Sequence, residues 1–276
     1  MNRIDDVLKL SDEPRPEREG RGRTRGPRAV ARRAARQPVG GLVNDLPALA
    51  IDDELRARLV IGTPSSVSVE QYQRLAAVLF EEQAEDGLAT VMVTSALPGE
   101  GKTLTAVNLA LTLSESYARR VLVIDADLRS PSVHTALGIP NEAGLSEALH
   151  DAEAPPAIRQ VTAGLSVMTA GRAGANPLAG LSSQRMEALM DELTARFDWV
   201  LLDASPVGVL PDAQVLARVV GGVILVIGAG STPAAAVERA IAELGGPDAI
   251  LGTVLNRIEE RRIPDVSYYG KYGDRR

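Results

Sequence analysis

Residues 91–110, VMVTSALPGEGKTLTAVNLA, run from an apolar stretch through a Gly/Pro turn to a lysine, a threonine and a helical pattern. A strand that enters such a turn and leaves through a helix starting near Lys102 aims successive backbone N–H groups, and the positive end of the helix dipole, into one concavity. That concavity suits phosphate. Lys102 can then reach the β and γ phosphates of a nucleotide, and the Thr103 hydroxyl can complete an octahedral Mg2+ shell. Gly99 and Gly101 let the backbone approach closely because they carry no Cβ. The candidate nucleotide contacts are Pro98, Gly99, Glu100, Gly101, Lys102, Thr103 and Leu104, with Asn256 and Arg257 from the end of the chain's last strand. The match to G-x-x-x-x-G-K-[ST] has one departure, Ala96 in place of the first glycine.

Carboxylates follow at two further strand ends. VLVIDADLRSP delivers Asp125 and Asp127, two residues apart and expected on one side of a strand. There they can hold Mg2+ and accept a proton from an attacking hydroxyl or water. FDWVLLDASPVGVLPDA places Asp203 after another apolar run, where it can orient the metal. Asp212, after Pro211, reads first as a helix starter and second as a site residue. In GTVLNRIEE, Asn256 can offer an amide that donates and accepts, as an adenine would require, or simply form a turn; Arg257 follows it. The candidate catalytic set is Lys102, Asp125 and Asp127, and the candidate metal set is Thr103, Asp125 and Asp203.

These residues need a scaffold that brings strand ends together. SVEQYQRLAAVLFEEQAEDG spaces Tyr72, Leu75, Ala76, Leu79 and Phe80 on one helical face, with Ser68 as the N-cap and Tyr72 in the core. Tyr117 falls in the helix that follows the loop. Downstream, short apolar runs alternate with helical stretches. Strands this continuously apolar are buried on both faces, and their alternation with helices implies right-handed crossovers. The fold class is α/β, a mostly parallel sheet with helices on both faces and a ligand site at the strands' carboxyl ends.

Composition narrows the chemistry. The 276 residues contain no cysteine and two histidines, which excludes disulfides, thiolate nucleophiles and Cys-based metal sites and argues against a Ser-His-Asp triad. There is no run of 18 apolar residues and no signal-peptide h-region, so the chain is expected in the cytoplasm, meeting a membrane through a partner. The net charge of −6 is uneven: residues 15–36 hold nine Arg and two Glu, a local +7 on a body of −13. Residues 11–41, rich in Arg, Gly, Pro and Ala, read as a disordered Arg-rich arm, a solvated linker with contact to anionic lipid, nucleic acid or an acidic partner as the alternative; no specific nucleic acid is expected. Ile4, Val7 and Leu8 have one-face spacing for a short docking helix. Three of the five tyrosines, Tyr268, Tyr269 and Tyr272, lie in the last nine residues on a Gly- and charge-rich tail.

Together, TSALPGEGKTLTAVNLA, VLVIDADLRSPSVHTALG, GLSEAL, LSVMTAGRAGANP, FDWVLLDASPVGVLPDA, GTVLNR and the tyrosine-bearing tail resemble the bacterial tyrosine kinases, P-loop autokinases of capsule and exopolysaccharide operons. The resemblance spans most of residues 60–276. It implies that Lys102 and Thr103 bind ATP·Mg2+, that Asp125 and Asp127 serve metal binding and activation of a tyrosine hydroxyl, and that Asp203 completes the metal site. It also implies that Tyr268, Tyr269 and Tyr272 accept phosphate from a neighbouring subunit. A membrane-embedded polysaccharide co-polymerase would activate and recruit the chain. The expected organisation is an N-terminal extension over residues 1–54, a kinase domain over 55–262 and a tyrosine tail over 263–276. IDDELRARLVIGTPSS is similar to the short extension of kinases in exosortase-linked loci.

The chain departs from that pattern at named positions. Ser205 replaces the first proline of D-T-P-P. Glu70 keeps an acidic position used in ring assembly, whereas Gln73 and Ala76 replace two arginines, so self-association is expected without those cationic partners. A partitioning or positioning ATPase of the same fold is the alternative, but such proteins carry a second lysine early in the loop, where Leu97 stands. A non-catalytic ATP-binding scaffold of a polysaccharide assembly is the third reading.

Overall fold

The computed structural model describes Leu59 and residues 67–258, less 152, 154, 173 and 175. Outside the described residues lie the Arg-rich arm, the Ile4–Leu8 helix, all of the exosortase-like stretch except Leu59, and the tail tyrosines Tyr268, Tyr269 and Tyr272.

The chain opens with helix α1 (Val67–Asp86), strand β1 (Thr90–Ser95) and helix α2 (Lys102–Glu115). Next come β2 (Val121–Asp125), α3 (Val133–Leu137), α4 (Leu145–His150), β3 (Arg159–Gln160) and β4 (Leu165–Met168). The second half comprises α5 (Pro177–Leu181), α6 (Gln184–Arg196), β5 (Trp199–Asp203), α7 (Asp212–Leu216), β6 (Gly222–Gly228), α8 (Ala234–Glu243) and β7 (Ile250–Asn256).

The strands form one sheet in the order β3-β4-β2-β5-β1-β6-β7. Every pairing is parallel except the two-residue β3 against β4. β3 has no apolar run and escapes a periodicity reading. Central strands alternate between two cores, as the two-residue period of a strand requires. Val91, Val93, Val121, Val123, Leu201 and Ile224 face the layer of α1, α2 and α3. Met92, Leu122, Ile124, Val200, Leu202 and Leu225 face α6, α7 and α8. Burial on both sides explains why these strands read as continuous apolar runs.

Two helix expectations need adjustment. α1 already includes Val67, so Ser68 lies inside its first turn instead of capping it. Tyr117 lies in a bend beyond α2, which ends at Glu115, ahead of Ala118 in a left-handed conformation. There its ring stacks on Phe80 at 5.3 Å and its hydroxyl donates to the Gln73 carbonyl. Tyr72 is half-buried against the α1–α2 core, as expected.

Candidate nucleotide and metal site

The central place of β1 decides the geometry. It runs between β5 and β6, with β2 on the far side of β5, so the loop after β1 and the ends of β2 and β5 share one edge of the sheet. Asp125 and Asp203 are Cα partners at the ends of β2 and β5, and Val93 of β1 is the partner of Asp203.

The loop from Ala96 to Gly101 is held from several sides. Gly99 and Gly101 adopt φ of 77° and 96°, a region a side chain disfavours. A Cβ on Gly101 would stand 2.1 Å from Asn256 Nδ2, so the glycine also makes room for that amide. Asn256 Nδ2 donates to the Glu100 carbonyl at 2.8 Å, and its Oδ1 accepts from Arg257 N. The amide thus braces the loop from β7. The Arg257 guanidinium lies over Gly99, with Nη2 3.9 Å from where a Cβ would be.

Glu100 is buried, and its carboxylate faces the protein. It accepts from Leu97 N at 2.7 Å and Gly228 N at 3.0 Å, and the Thr232 hydroxyl donates to it. A nucleotide contact by Glu100 therefore falls to its backbone N–H, as it does for Leu104, whose side chain packs on the core. Pro98 is exposed at the tip, and Leu97 packs against the core. Nothing in the composition of the loop announced the carboxylate staple to the β6–α8 connection, because Gly228 and Thr232 are more than 120 residues away.

Lys102, the first residue of α2, lies between carboxylates. Its Nζ is 2.9 Å from Asp127 Oδ2 and 3.6 Å from Asp203 Oδ1. Burial works against its charge, but Asp203 and Asp127 outweigh burial and raise its pKa. A phosphate reached by Lys102 would share it with these two groups.

Asp125 and Asp127 do come together, though not as strand neighbours. β2 ends at Asp125, and Asp127 lies in the following turn, so the alternation of a strand does not set its direction. Instead Asp127 N donates to Asp125 Oδ1, while Ser132 N and Val133 N donate to Asp125 Oδ2, each at 2.9 Å. Burial, reinforced by the charge of Asp203, pushes the Asp125 carboxyl up to about 7 despite these donors. Burial likewise pushes Asp203 up to about 6, with Lys102 opposing the shift. Both oxygens of Asp203 are buried with no donor inside hydrogen-bond distance; its ion-pair partner is Lys102, 3.6 Å from Oδ1, so the carboxylate keeps acceptor capacity for a further cation.

The Thr103 hydroxyl is 2.7 Å from the Ser132 hydroxyl. Among the described residues no group of three His, Cys, Asp or Glu side chains is arranged to hold a metal ion alone. Mg2+ does not need one, since it is usually held by one or two carboxylates together with waters and substrate phosphates. The residues present fit such a shared ion: Thr103, Asp125, Asp127 and Asp203 on the protein side, the glycine loop for phosphate.

The sequence singled out neither Ser132 nor Arg129, which meets Asp212 across the sheet edge. Asp212 opens α7, but Pro211 is the cap position and the Asp212 carboxylate is buried on Arg129. Ser205, at the proline position of the resembled family, accepts from Thr94 Oγ1 at 2.7 Å through its carbonyl, and its own Oγ is buried without a hydrogen-bond partner.

The geometry defines a nucleotide-binding P-loop domain, and comparison with known proteins places it. Residues 91–267 match the CobQ/CobB/MinD/ParA nucleotide binding domain. The chain is 36% identical over 220 residues to the tyrosine-protein kinase YwqD of Bacillus subtilis, covering 78% of this chain and 90% of that protein. It is 32% identical over 213 residues to the tyrosine-protein kinase etk of Escherichia coli, covering 76% of this chain and 29% of etk. Among solved structures, the chimerical protein CapA2B2 superposes with a TM-score of 0.68 at 27% identity, over 74% of this chain and 91% of that one. The kinase domain of Escherichia coli ETK gives 0.67 at 31% identity, over 73% and 82%. The chain belongs to the bacterial tyrosine-protein kinases, within that nucleotide-binding family.

Proposed function

We propose that the chain is an ATP- and Mg2+-dependent protein-tyrosine autokinase acting in capsule or exopolysaccharide biosynthesis. The observation that carries this reading is the Lys102 ammonium set between Asp127 and Asp203 at the head of a glycine loop, in a chain that runs along 90% of YwqD. Leu97 supports it further, because its side chain packs on the core and offers no second cation to a partner's nucleotide.

In this reading the loop's N–H groups and Lys102 hold the phosphates, with Arg257 above the loop. Thr103, Asp125, Asp127 and Asp203 would hold Mg2+, which would supply neutralisation of the phosphate charge. The hydroxyl oxygen of Tyr268, Tyr269 or Tyr272 on a neighbouring subunit forms a bond to the γ-phosphorus as the bond to the β-phosphate oxygen breaks. ADP leaves, and the phenolic proton passes to a carboxylate. A carboxylate of the site, Asp125 or Asp127, is placed to take it. Phosphoryl transfer asks mainly for positioning and charge neutralisation, which these residues supply.

Residues 1–54 would act as an extension, 55–262 as the kinase domain and 263–276 as the tail. No helix among the described residues is long and apolar enough to cross a membrane, so a membrane-embedded co-polymerase would bring the chain to the inner face of the membrane. Self-association would use the exposed start of α1. Glu70 and Gln73 are on its surface, but Ala76 is fully buried in the α1–α2 core and lies off that surface. The test is incubation of the purified chain with ATP and Mg2+ followed by mapping of modified residues. Phosphotyrosine in the tail is expected; ATP hydrolysis without any phosphotyrosine would sink the proposal.

A further inference from the structure

Asp212 is 1% exposed, yet it lies outside the loop and the strand-end carboxylates. Arg129 Nε donates to its Oδ2 at 2.8 Å and Nη2 to its Oδ1 at 3.3 Å, a two-point pairing across 83 residues. We propose that Arg129 and Asp212 are positioning residues, a clamp that fixes the turn carrying Asp127 and thereby the placement of Lys102 and the bound metal. The inference rests on the nucleotide–metal reading of the site.

The connections on either side show what the clamp adds. After Asp203, the chain is first tied to β1: Ala204 N donates to the Val93 carbonyl and Val207 N to the Ser95 carbonyl. Val209 then emerges as an exposed apolar residue, and the next side-chain anchor is Asp212 on Arg129. After Asp125, Ala126 N donates to the Asp203 carbonyl at 2.8 Å, so this backbone too starts anchored. Asp127 then opens a turn closed by Ser130 N on its carbonyl and on its Oδ1. Arg129 stands inside that turn, and the charge of Asp127 reaches it as well as that of Asp212. The clamp therefore joins the free ends of the two connections that carry Asp127 and Asp203.

Asp212 lies in the first turn of α7, where a negative charge favours the helix start, but the bonds of its carboxylate go to Arg129. Asp212 is buried while the Arg129 side chain is more than a third exposed, and an ion pair open to solvent on one side stabilises little by itself. What a two-point Arg–carboxylate pair supplies is orientation. Groups that orient metal-binding residues typically change metal affinity by about 10- to 100-fold when removed.

The experiment is titration of the full chain with a fluorescent ADP, without metal and across a Mg2+ series, for the wild type, Asp212→Asn, Arg129→Gln, Arg129→Lys and the double variant. Asp212→Asn and Arg129→Gln should each raise the half-saturating Mg2+ by about tenfold or more, at the lower end of that range. Metal-free ADP affinity should stay within about twofold, and the double variant should be no worse than either single, as expected for residues acting as one unit. Arg129→Lys, keeping the charge without the fork, should recover part of the loss. If one variant fails to fold, the other still reports the Mg2+ dependence. A half-saturating Mg2+ within twofold of wild type, losses that add in the double variant, or an equal loss of metal-free affinity overturns the clamp. A wild type that binds no ADP at any Mg2+ overturns the nucleotide reading itself and the clamp with it.

Discussion

Asp125 and Asp203 are Cα partners at the carboxyl ends of β2 and β5, and the charge of Asp203 bears on Asp125 across that rung. The register, set by apolar residues facing two cores, thus places two buried carboxylates side by side beneath Lys102.

That pairing makes the metal-free site sensitive to pH. Folded pKa values of about 7 for Asp125 and about 6 for Asp203 lie above the ordinary carboxylate value. The folded chain therefore holds protons the unfolded chain has lost. The resulting stabilisation is present below about pH 4 and is lost as pH rises through 6 and 7. Mg2+ prefers the deprotonated carboxylates, so ADP·Mg2+ affinity should fall as pH drops from about 8 to 6. Thermal unfolding of the metal-free chain and binding titrations across this range check both slopes. Asp203→Asn should flatten the stability profile and remove Mg2+-dependent binding.

Lys102→Met should abolish phosphotyrosine. It should also leave the buried carboxylates of Asp127 and Asp203 without their cation, and removing one partner of a buried pair destabilises by about 3–5 kcal/mol. The loss should be larger at pH 8 than at pH 5, where Asp203 is protonated. Denaturant unfolding at the two pH values measures it.

Gly101→Ala should impair nucleotide binding while leaving the sheet intact. A left-handed backbone at a non-glycine residue costs about 1–2 kcal/mol. The new Cβ would also displace the Asn256 amide from the loop. Adding Asn256→Ala should relieve the clash but not the backbone strain, so ADP affinity in the double variant should stay below wild type.

Glu100→Ala should loosen the loop from its far side. It would orphan Leu97 N, Gly228 N and the Thr232 hydroxyl, and each buried orphan costs about 1–3 kcal/mol unless water replaces the partner. Glu100→Gln, which keeps an acceptor, should lose less. The comparison is read by unfolding and by ADP titration.

Replacing Tyr268, Tyr269 and Tyr272 with Phe should remove phosphotyrosine without changing ADP affinity. Mixing this triple variant with Lys102→Met chains should restore label, on the tails of the Lys102→Met chains alone. Label absent from the mixture would contradict transfer between subunits.

The phosphate loop, the start of α2 at Lys102 and the strand ends at Asp125 and Asp203 were legible in the sequence. Each is local: an apolar run, a glycine turn, a helical period. Asp127 shows where local reading stops. Its two-residue spacing from Asp125 suggested a shared strand face, but the strand ends first, and backbone donors to Asp125 draw the turn together instead. Ser68 and Tyr117 missed their expected places by a residue or two at helix ends, where propensity is weakest.

By itself the sequence determined the α/β class, the two-faced burial of the strands and the residue types at the phosphate loop, because periodicity and glycine chemistry act over a few neighbouring residues. Only the tertiary structure decided that Glu100 staples the loop to Gly228, that Asn256 braces Gly101, and that Arg129 closes on Asp212. Those contacts join residues 83 to 156 positions apart. Their partners are chosen by strand order and register, which settle only when both cores have packed.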